Sequence, residues 1–354
     1  MVFPKGSYNP VGVSVMTYNK RFVSVLLTIA AMGILILDSN TASNAVAEGI
    51  DRCLKVVIPS LFPFLILSSV LTQSAFGMNM RFLHPFCRMC RISNEAAPLL
   101  LVGLIGGYPV GAQCITRAWK NGQLSAKAAR RMLGFCSNAG PAFIFGMTAG
   151  LFGAPVIPWV IWLVQILSVM VAARLLSGDT KSNPCVSNHS LSPAAVLRQA
   201  IAAMASICGW VIIFQTVCVF FDKWVPDTLP HEIRCLTAGL LELTNGCCRL
   251  SAIQSQQLRF ILCNVFLSFG GLGVYMQTVS VTQILGTGSY LRGKLTQTAV
   301  SAFFSSWLSV ILFPHEQLNF QLHWMLQIPI SMIIFRKLFQ FMKNNSRKTA
   351  AIGV

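Results

Sequence analysis

Residues 97–112 read APLLLVGLIGGYPVGA, and this stretch decides how the whole chain is interpreted. It is apolar enough for the interior of a membrane, but it is shorter than the roughly 20 residues that a crossing helix needs. Gly106, Gly107 and Pro109 also break it near its middle, because glycine permits unusual backbone angles and proline lacks an N–H. The stretch therefore predicts a re-entrant hairpin, which dips into the bilayer and returns to the same side.

A second stretch of this kind, LTAGLLELTNGCC, occupies residues 236–248. It is also apolar and too short to cross a membrane as a helix. Glu242 and Asn245 interrupt it with polar side chains. The sequence therefore predicts a second re-entrant hairpin in the later part of the chain.

The composition places the remainder of the chain in a membrane as well. Of its 354 residues, 54% are hydrophobic and only 10% are charged, whereas soluble domains contain about 25% charged residues. Apolar runs recur along the whole length and leave no room for a separate soluble domain. The predicted fold class is an all-α polytopic membrane protein with about eight transmembrane helices. The predicted spans are residues 21–37, 55–74, 132–153, 155–173, 200–222, 260–282, 296–313 and 323–335.

The net charge of +17 indicates membrane orientation rather than nucleic-acid binding. Most basic residues, Arg131 and Lys294 among them, are assigned to short cytoplasmic loops between spans, as the positive-inside rule expects, where they also contact anionic lipids. No basic stretch is long enough, or interleaved with aromatic residues, to bind nucleic acid. Both termini are predicted to be cytoplasmic, as a tail of residues 1–20 and a basic tail of residues 336–354.

A polar stretch near the middle of the chain, SGDTKSNPCVSNHSLSP at residues 177–193, predicts a linker between two halves. The first half, 21–176, has its hairpin at 97–112 and a broken helix at 132–153. The second half, 194–335, has its hairpin at 236–248 and a broken helix at 260–282. Because the two hairpins enter from opposite sides, the halves form a predicted inverted repeat, and such paired interruptions are typical of the solute site of a transporter.

Backbone groups released at these breaks need partners, since an unsatisfied group in hydrocarbon costs several kcal/mol. We therefore expect the opened helix ends to bind a small polar solute. Glu242 is a candidate because ionisable groups at membrane depth are functional by default; its alternative role is an acid near a hairpin tip, exposed to water or paired with Arg249. Asn138 offers an amide to a solute carboxylate or carbonyl, and its alternative role is a hydrogen bond between helices. The candidate substrate-binding residues are Gly106, Gly107, Tyr108, Pro109, Ser137, Asn138, Gly140, Pro141, Glu242, Thr244, Asn245, Ser268, Gly270, Gly271 and Gln277.

Catalytic and metal-binding patterns are weak or absent. The chain lacks HExxH and GxSxG motifs. Residues 288–294 approach a phosphate-binding loop, but Leu295 stands where Ser or Thr belongs, and the Cys87–Cys90 pair has no second pair with which to hold zinc. We expect no enzyme activity, no catalytic residue, no cofactor and no metal.

Four motifs in order carry a family resemblance: GGYPVGA at 106–112, FCSNAGP at 135–141, GLLELT at 239–244 and SFGGL at 268–272. Together they resemble the YlbJ-type sporulation integral membrane proteins, of the nucleoside-recognition Gate-domain group, over approximately residues 20–340. The second hairpin departs in detail, since its sequence continues Asn245-Gly246-Cys247-Cys248.

The resemblance implies a bacterial endospore former and a permease that moves dipicolinic acid, a pyridine dicarboxylate, from mother cell toward forespore across the outer forespore membrane. Two alternatives remain open: a membrane scaffold for spore maturation that transports nothing, and a nucleoside permease. The sequence also leaves a homo-oligomer open.

Overall fold

The computed structural model describes residues 11–75, 80–176, 192–226, 228–282, 285–314 and 316. Within these ranges the chain forms helices and contains no β-strand, as the composition predicts. The helices are α1 (Val11–Leu37), α2 (Ser39–Arg52), a π-helical turn (Cys53–Val57), α3 (Ile58–Ala75), α4 (His84–Cys90), α5 (Ala97–Ile105), α6 (Val110–Lys120), α7 (Ala126–Leu133), α8 (Pro141–Thr148), α9 (Ile157–Leu175), α10 (Pro193–Trp224), α11 (His231–Leu241), α12 (Leu243–Arg249), α13 (Gln256–Phe269), α14 (Gly271–Thr282) and α15 (Gly288–Leu312).

Helix starts follow local capping chemistry. Ser125, Ser192 and Ser255 each accept a backbone N–H from the first turn of α7, α10 and α13, which satisfies one of the donors that a helix start leaves free. Proline stands in the first turn of α5, α8, α9 and α10, where its missing N–H costs nothing.

Five helical segments in the described part of the chain are long and apolar enough to cross a membrane. They are Ser39–Leu71, Ile157–Leu175, Pro193–Trp224, Gln256–Thr282 and Gly288–Leu312. They contain or overlap the predicted spans 55–74, 155–173, 200–222, 260–282 and 296–313. Large apolar side chains on these helices are exposed, Trp159, Trp307 and Ile311 among them, as expected for a surface that faces lipid rather than water. The multi-pass membrane character is therefore confirmed.

The other three predicted spans are not among these five segments. Residues 22–37 form a shorter apolar helix, and residues 323–335 lie outside the described part of the chain, as do the tail 336–354 and the linker up to residue 191. The predicted broken helix 132–153 is interrupted at the place that the sequence indicates. Here α7 ends at Leu133, residues 134–140 are not helical, and α8 has only 8 residues. That this segment crosses the membrane stays a prediction.

The two predicted hairpins are pairs of short helices. α5 and α6 pack against each other across the turn at 106–109, and α11 and α12 pack across the break at Glu242. The order of elements then repeats: α7, α8 and α9 follow the first pair, and α13, α14 and α15 follow the second. Contacts also cross between these two series, because α9 packs on α13 and α15 packs on α7. Re-entry into a bilayer and inverted orientation stay predictions.

Candidate functional site

The first break is a turn whose backbone favours glycine. Between α5 and α6, Gly107 has φ +80°, a left-handed angle that other residues adopt at a cost. A Cβ on Gly107 would also lie 2.9 Å from the Leu61 side chain of α3. The turn places Tyr108 inside the protein, where its side chain is 4% exposed. Gly106 and Pro109 lie in the same turn, on either side of Gly107 and Tyr108.

The loop at 134–140 is clamped by close backbone contacts. A Cβ on Gly111 of α6 would lie 1.8 Å from the Cys136 carbonyl oxygen, and one on Gly103 of α5 would lie 2.5 Å from that oxygen. From the other side, a Cβ on Gly293 of α15 would lie 2.0 Å from the Gly134 carbonyl oxygen. The loop is thus fixed between the first helix pair and α15 before Gly140 and Pro141 lead into α8.

The second break has two parts. Glu242 interrupts α11 and α12 with an extended backbone at φ −146° and ψ 125°, and its Oε2 accepts the Asn245 N–H at 2.7 Å as the N-terminal cap of α12. Gly270 and Gly271 separate α13 from α14, with φ values of +82° and +76°. The Glu242 carboxyl is buried, with 2% of the residue exposed. It is therefore not an acid exposed at a hairpin tip, and Arg249 pairs instead with Asp222.

Tyr108 joins the two breaks. The Tyr108 Oη lies 3.1 Å from the carbonyl oxygens of Leu267 and of Ser268, at the end of α13, and the hydroxyl donates to these carbonyl oxygens. A cavity lies beside Tyr108. The space that the centre of a water molecule can occupy in it is about 40 Å³. That is room for a few waters. Its wall contains Val57, Leu61, Tyr108, Ala139, Gly140, Phe143, Ile207, Val211, Glu242, Leu243, Thr244, Val274 and Gln277.

Five of the predicted site residues therefore line one cavity: Tyr108, Gly140, Glu242, Thr244 and Gln277. The other ten lie around it. Gly106, Gly107, Pro109, Pro141, Gly270 and Gly271 form the turns and helix starts at the breaks. Ser137, Asn138, Asn245 and Ser268 are buried polar residues behind the cavity wall. In that group Asn245 Oδ1 accepts from Arg52, and Ser268 donates to the Asn264 carbonyl.

Lys294 is a functional candidate that the sequence analysis missed. It was assigned to a cytoplasmic loop, but it lies within α15 and is completely buried. Its Nζ donates to Asn138 Oδ1 at 2.9 Å, to Tyr108 Oη at 3.0 Å and to Gln297 Oε1 at 2.6 Å. A signal existed, since Lys294, Gln297, Ser301 and Ser305 follow helical spacing, which places the lysine on a buried polar face of an apolar helix.

Arg131 also lies elsewhere than predicted. Rather than facing water in a loop, it sits in α7 with 6% of its surface exposed. Its guanidinium donates to the carbonyl oxygens of Cys90, Arg91 and Ala173. Arg131 therefore links α4 and α9 to α7, because its guanidinium forms hydrogen bonds to backbone carbonyl oxygens inside the protein.

Asn138 is fully engaged with the protein. Its Nδ2 donates to the Gly103 carbonyl at 2.9 Å and to the Phe135 carbonyl at 2.8 Å, while its Oδ1 accepts from Lys294. The amide therefore fixes the 134–140 loop and orients the lysine. Among the described residues, no group of three His, Cys, Asp or Glu side chains is arranged to hold a metal ion.

Over 111 residues the chain is 37% identical to the sporulation integral membrane protein YlbJ of Bacillus subtilis (strain 168). The match covers 30% of this chain and 26% of the relative, so it spans about a quarter of the relative's length. No family model and no solved structure matches the chain. The match nevertheless confirms that this chain is similar to the YlbJ-type sporulation integral membrane proteins, as its four motifs indicate.

Proposed function

We propose that this protein is a sporulation-associated permease for a small polar anion, with dipicolinic acid as the solute, moved from mother cell toward forespore across the outer forespore membrane. One observation carries the proposal: helix breaks from both parts of the chain meet at Tyr108 and line one cavity. Helix breaks in a membrane are tolerated where they line a cavity, and paired breaks are typical of transporter sites.

The chemistry of the cavity supports a polar solute. Glu242, Thr244 and Gln277 supply polar side chains to a wall that is otherwise largely apolar, which is the usual composition of a small-molecule site. A pyridine dicarboxylate would place its ring against residues such as Phe143 and Val274 and its carboxylates against the Thr244 hydroxyl and the Gln277 amide, which can donate hydrogen bonds to an anion. The cavity holds only a few waters, so the helices must separate before such a solute enters.

Uptake into liposomes tests the proposal directly. Purified protein reconstituted in liposomes is expected to take up radiolabelled dipicolinate with saturation, and an excess of unlabelled nucleoside should not compete. Competition by the nucleoside would favour a nucleoside permease instead. No uptake of either solute by folded protein would contradict transport and favour the membrane scaffold.

A cavity-filling variant shows whether this cavity is the path. Val211 lines the cavity from α10, whereas Val217 on the same helix is 44% exposed. Val211→Trp is expected to reduce uptake by at least about tenfold because the indole occupies the solute volume. Val217→Trp, the matched control on the exposed surface, should transport like the unmodified protein. Equal uptake by both variants at equal abundance would exclude the cavity as the path.

Glu242→Gln separates the charge of this residue from its structural role. A glutamine carbonyl can still accept the Asn245 N–H that Glu242 accepts, so we expect protein abundance to be unchanged. Uptake should fall by about tenfold or more, because intramembrane carboxyl groups typically serve solute or proton movement. Uptake at the unmodified level would remove Glu242 from the solute site.

A further inference from the structure

We propose that Lys294 is the specificity-determining residue for a carboxylate group of the solute, with Gln297 and Ser137 as its partners. The inference rests on the proposed permease function and names the group that would select an anion. Lys294 does not line the cavity; it lies directly behind Tyr108, which does. The Lys294 Nζ is 4.8 Å from the centroid of that ring and 3.0 Å from its hydroxyl.

The acceptors around Lys294 suit an ammonium ion in number. Its three acceptors on Tyr108, Asn138 and Gln297 match the three N–H bonds of a protonated amine. In the described part of the chain no carboxylate forms an ion pair with it; the ion pairs given by the structure there involve Lys55, Lys223 and Arg249. A buried charge without an opposite charge is costly. A neutral side chain such as glutamine could link the same helices with two N–H donors and without that cost.

Two further donors, one on Gln297 and one on the residue that precedes Asn138, have no partner in the described part of the chain. Gln297 accepts from Lys294 through Oε1, yet its Nε2 has no hydrogen-bond partner among the described residues. Ser137, adjacent to Asn138, has an Oγ that is likewise without a partner there. Both residues are completely buried. An ammonium, an amide N–H and a hydroxyl are the donors that the two oxygens of a carboxylate require.

Tyr108 controls access from the cavity to this group of donors. Its hydroxyl occupies one of the three positions around the Lys294 Nζ and also bonds to the end of α13. A carboxylate that entered the cavity would reach the ammonium by replacing this hydroxyl, and the tyrosine would then release the carbonyl oxygens of Leu267 and Ser268. Recognition of the anion would thereby loosen the contact between the two helix breaks.

The test compares a dicarboxylate with its neutral analogue. For reconstituted protein we would measure the KM for dipicolinate uptake and the inhibition constant of pyridine-2,6-dicarboxamide, which has the same ring and no charge. Lys294→Met should raise the KM by about tenfold to a hundredfold, the range expected for loss of a charged hydrogen bond. The inhibition constant of the diamide should change by less than about threefold, since a neutral ligand gains little from the ammonium.

Arg292→Met is the matched control, because Arg292 lies on the same helix and is exposed. It removes one positive charge from α15 and should leave both constants unchanged. Ser137→Ala removes a hydroxyl that has no partner in the described structure, so it should fold normally and raise the dicarboxylate KM alone by several-fold.

Each outcome has a distinct meaning. If Lys294→Met weakens both ligands equally at normal abundance, the lysine is a structural link and the inference is overturned while the permease stands. If Lys294→Met does not accumulate, the same two constants are measured for Ser137→Ala and Gln297→Met. The inference is overturned if the ratio of the dipicolinate KM to the diamide inhibition constant is unchanged in both variants. If the unmodified protein takes up no solute, the proposed function itself fails.

Discussion

Gly111→Ala is expected to prevent the accumulation of folded protein. The new methyl carbon would lie 1.8 Å from the Cys136 carbonyl oxygen and 3.1 Å from the Ser137 Cα, and neither backbone atom can move while the 134–140 loop is held from the other side by α15. We expect a loss of about 3 kcal/mol or more, because overpacking against rigid backbone cannot be relieved by a rotamer change. Abundance in membranes and the thermal midpoint of detergent-solubilised protein measure the effect.

Gly209→Ala is the matched control for this prediction. Gly209 also lies within a helix, α10, but a Cβ there would have no heavy atom within 4 Å. The substitution should be neutral or stabilise the protein by up to about 1 kcal/mol, since alanine favours helix over glycine. If Gly111→Ala and Gly209→Ala both accumulate to the normal level, α6 does not pack on the 134–140 loop as closely as the structure shows.

The second large effect is expected at the pair formed by Asn138 and Lys294. Asn138→Ala should destabilise the protein by about 2–4 kcal/mol, because it leaves buried polar groups without partners at about 1–3 kcal/mol each. The carbonyl oxygens of Gly103 and Phe135 lose their donor, and the Lys294 ammonium loses one acceptor. If Asn138 only bound the solute, this variant would lose transport at unchanged abundance; its hydrogen bonds to the protein predict a loss of abundance as well.

A double-mutant cycle isolates the contact between the two residues. The destabilisation of Asn138→Ala combined with Lys294→Met should be smaller than the sum of the single effects by about 1–3 kcal/mol, as expected for residues that share a hydrogen bond. Ser309→Ala serves as the control partner, because Ser309 is also buried in α15 but bonds within its own helix to Ser306. Additivity of Asn138→Ala with Lys294→Met would show that the two side chains are not in contact.

Much of the site could be predicted because its determinants are local. Glycine and proline mark the breaks at 106–109, 134–141 and 270–271, and the structure opens its helices at each of them. Tyr108, Glu242 and Gln277 are polar residues on these interrupted elements, and all three line the cavity. Local backbone preference and side-chain polarity therefore indicate the segments that meet at the cavity.

Other features could not be predicted from local sequence. Hydropathy could not distinguish the buried loop at 134–140 from part of a spanning helix, because both exclude water. Nor could it show that Asn138 faces Lys294 rather than the cavity. That hydrogen bond joins residues 156 positions apart in the chain, and its existence depends on α15 crossing the loop at the contact between Gly293 and Gly134.

The sequence by itself thus determined the membrane class, five of the crossing segments and the positions of the helix breaks, since transfer free energy and backbone preference are properties of short segments. Only the tertiary structure decided which breaks meet, which polar groups reach the cavity and where the charge of Lys294 lies. These depend on distant helices packing against one another, and a charged residue that looks like a topology signal in the sequence becomes a buried ammonium once its helix is placed.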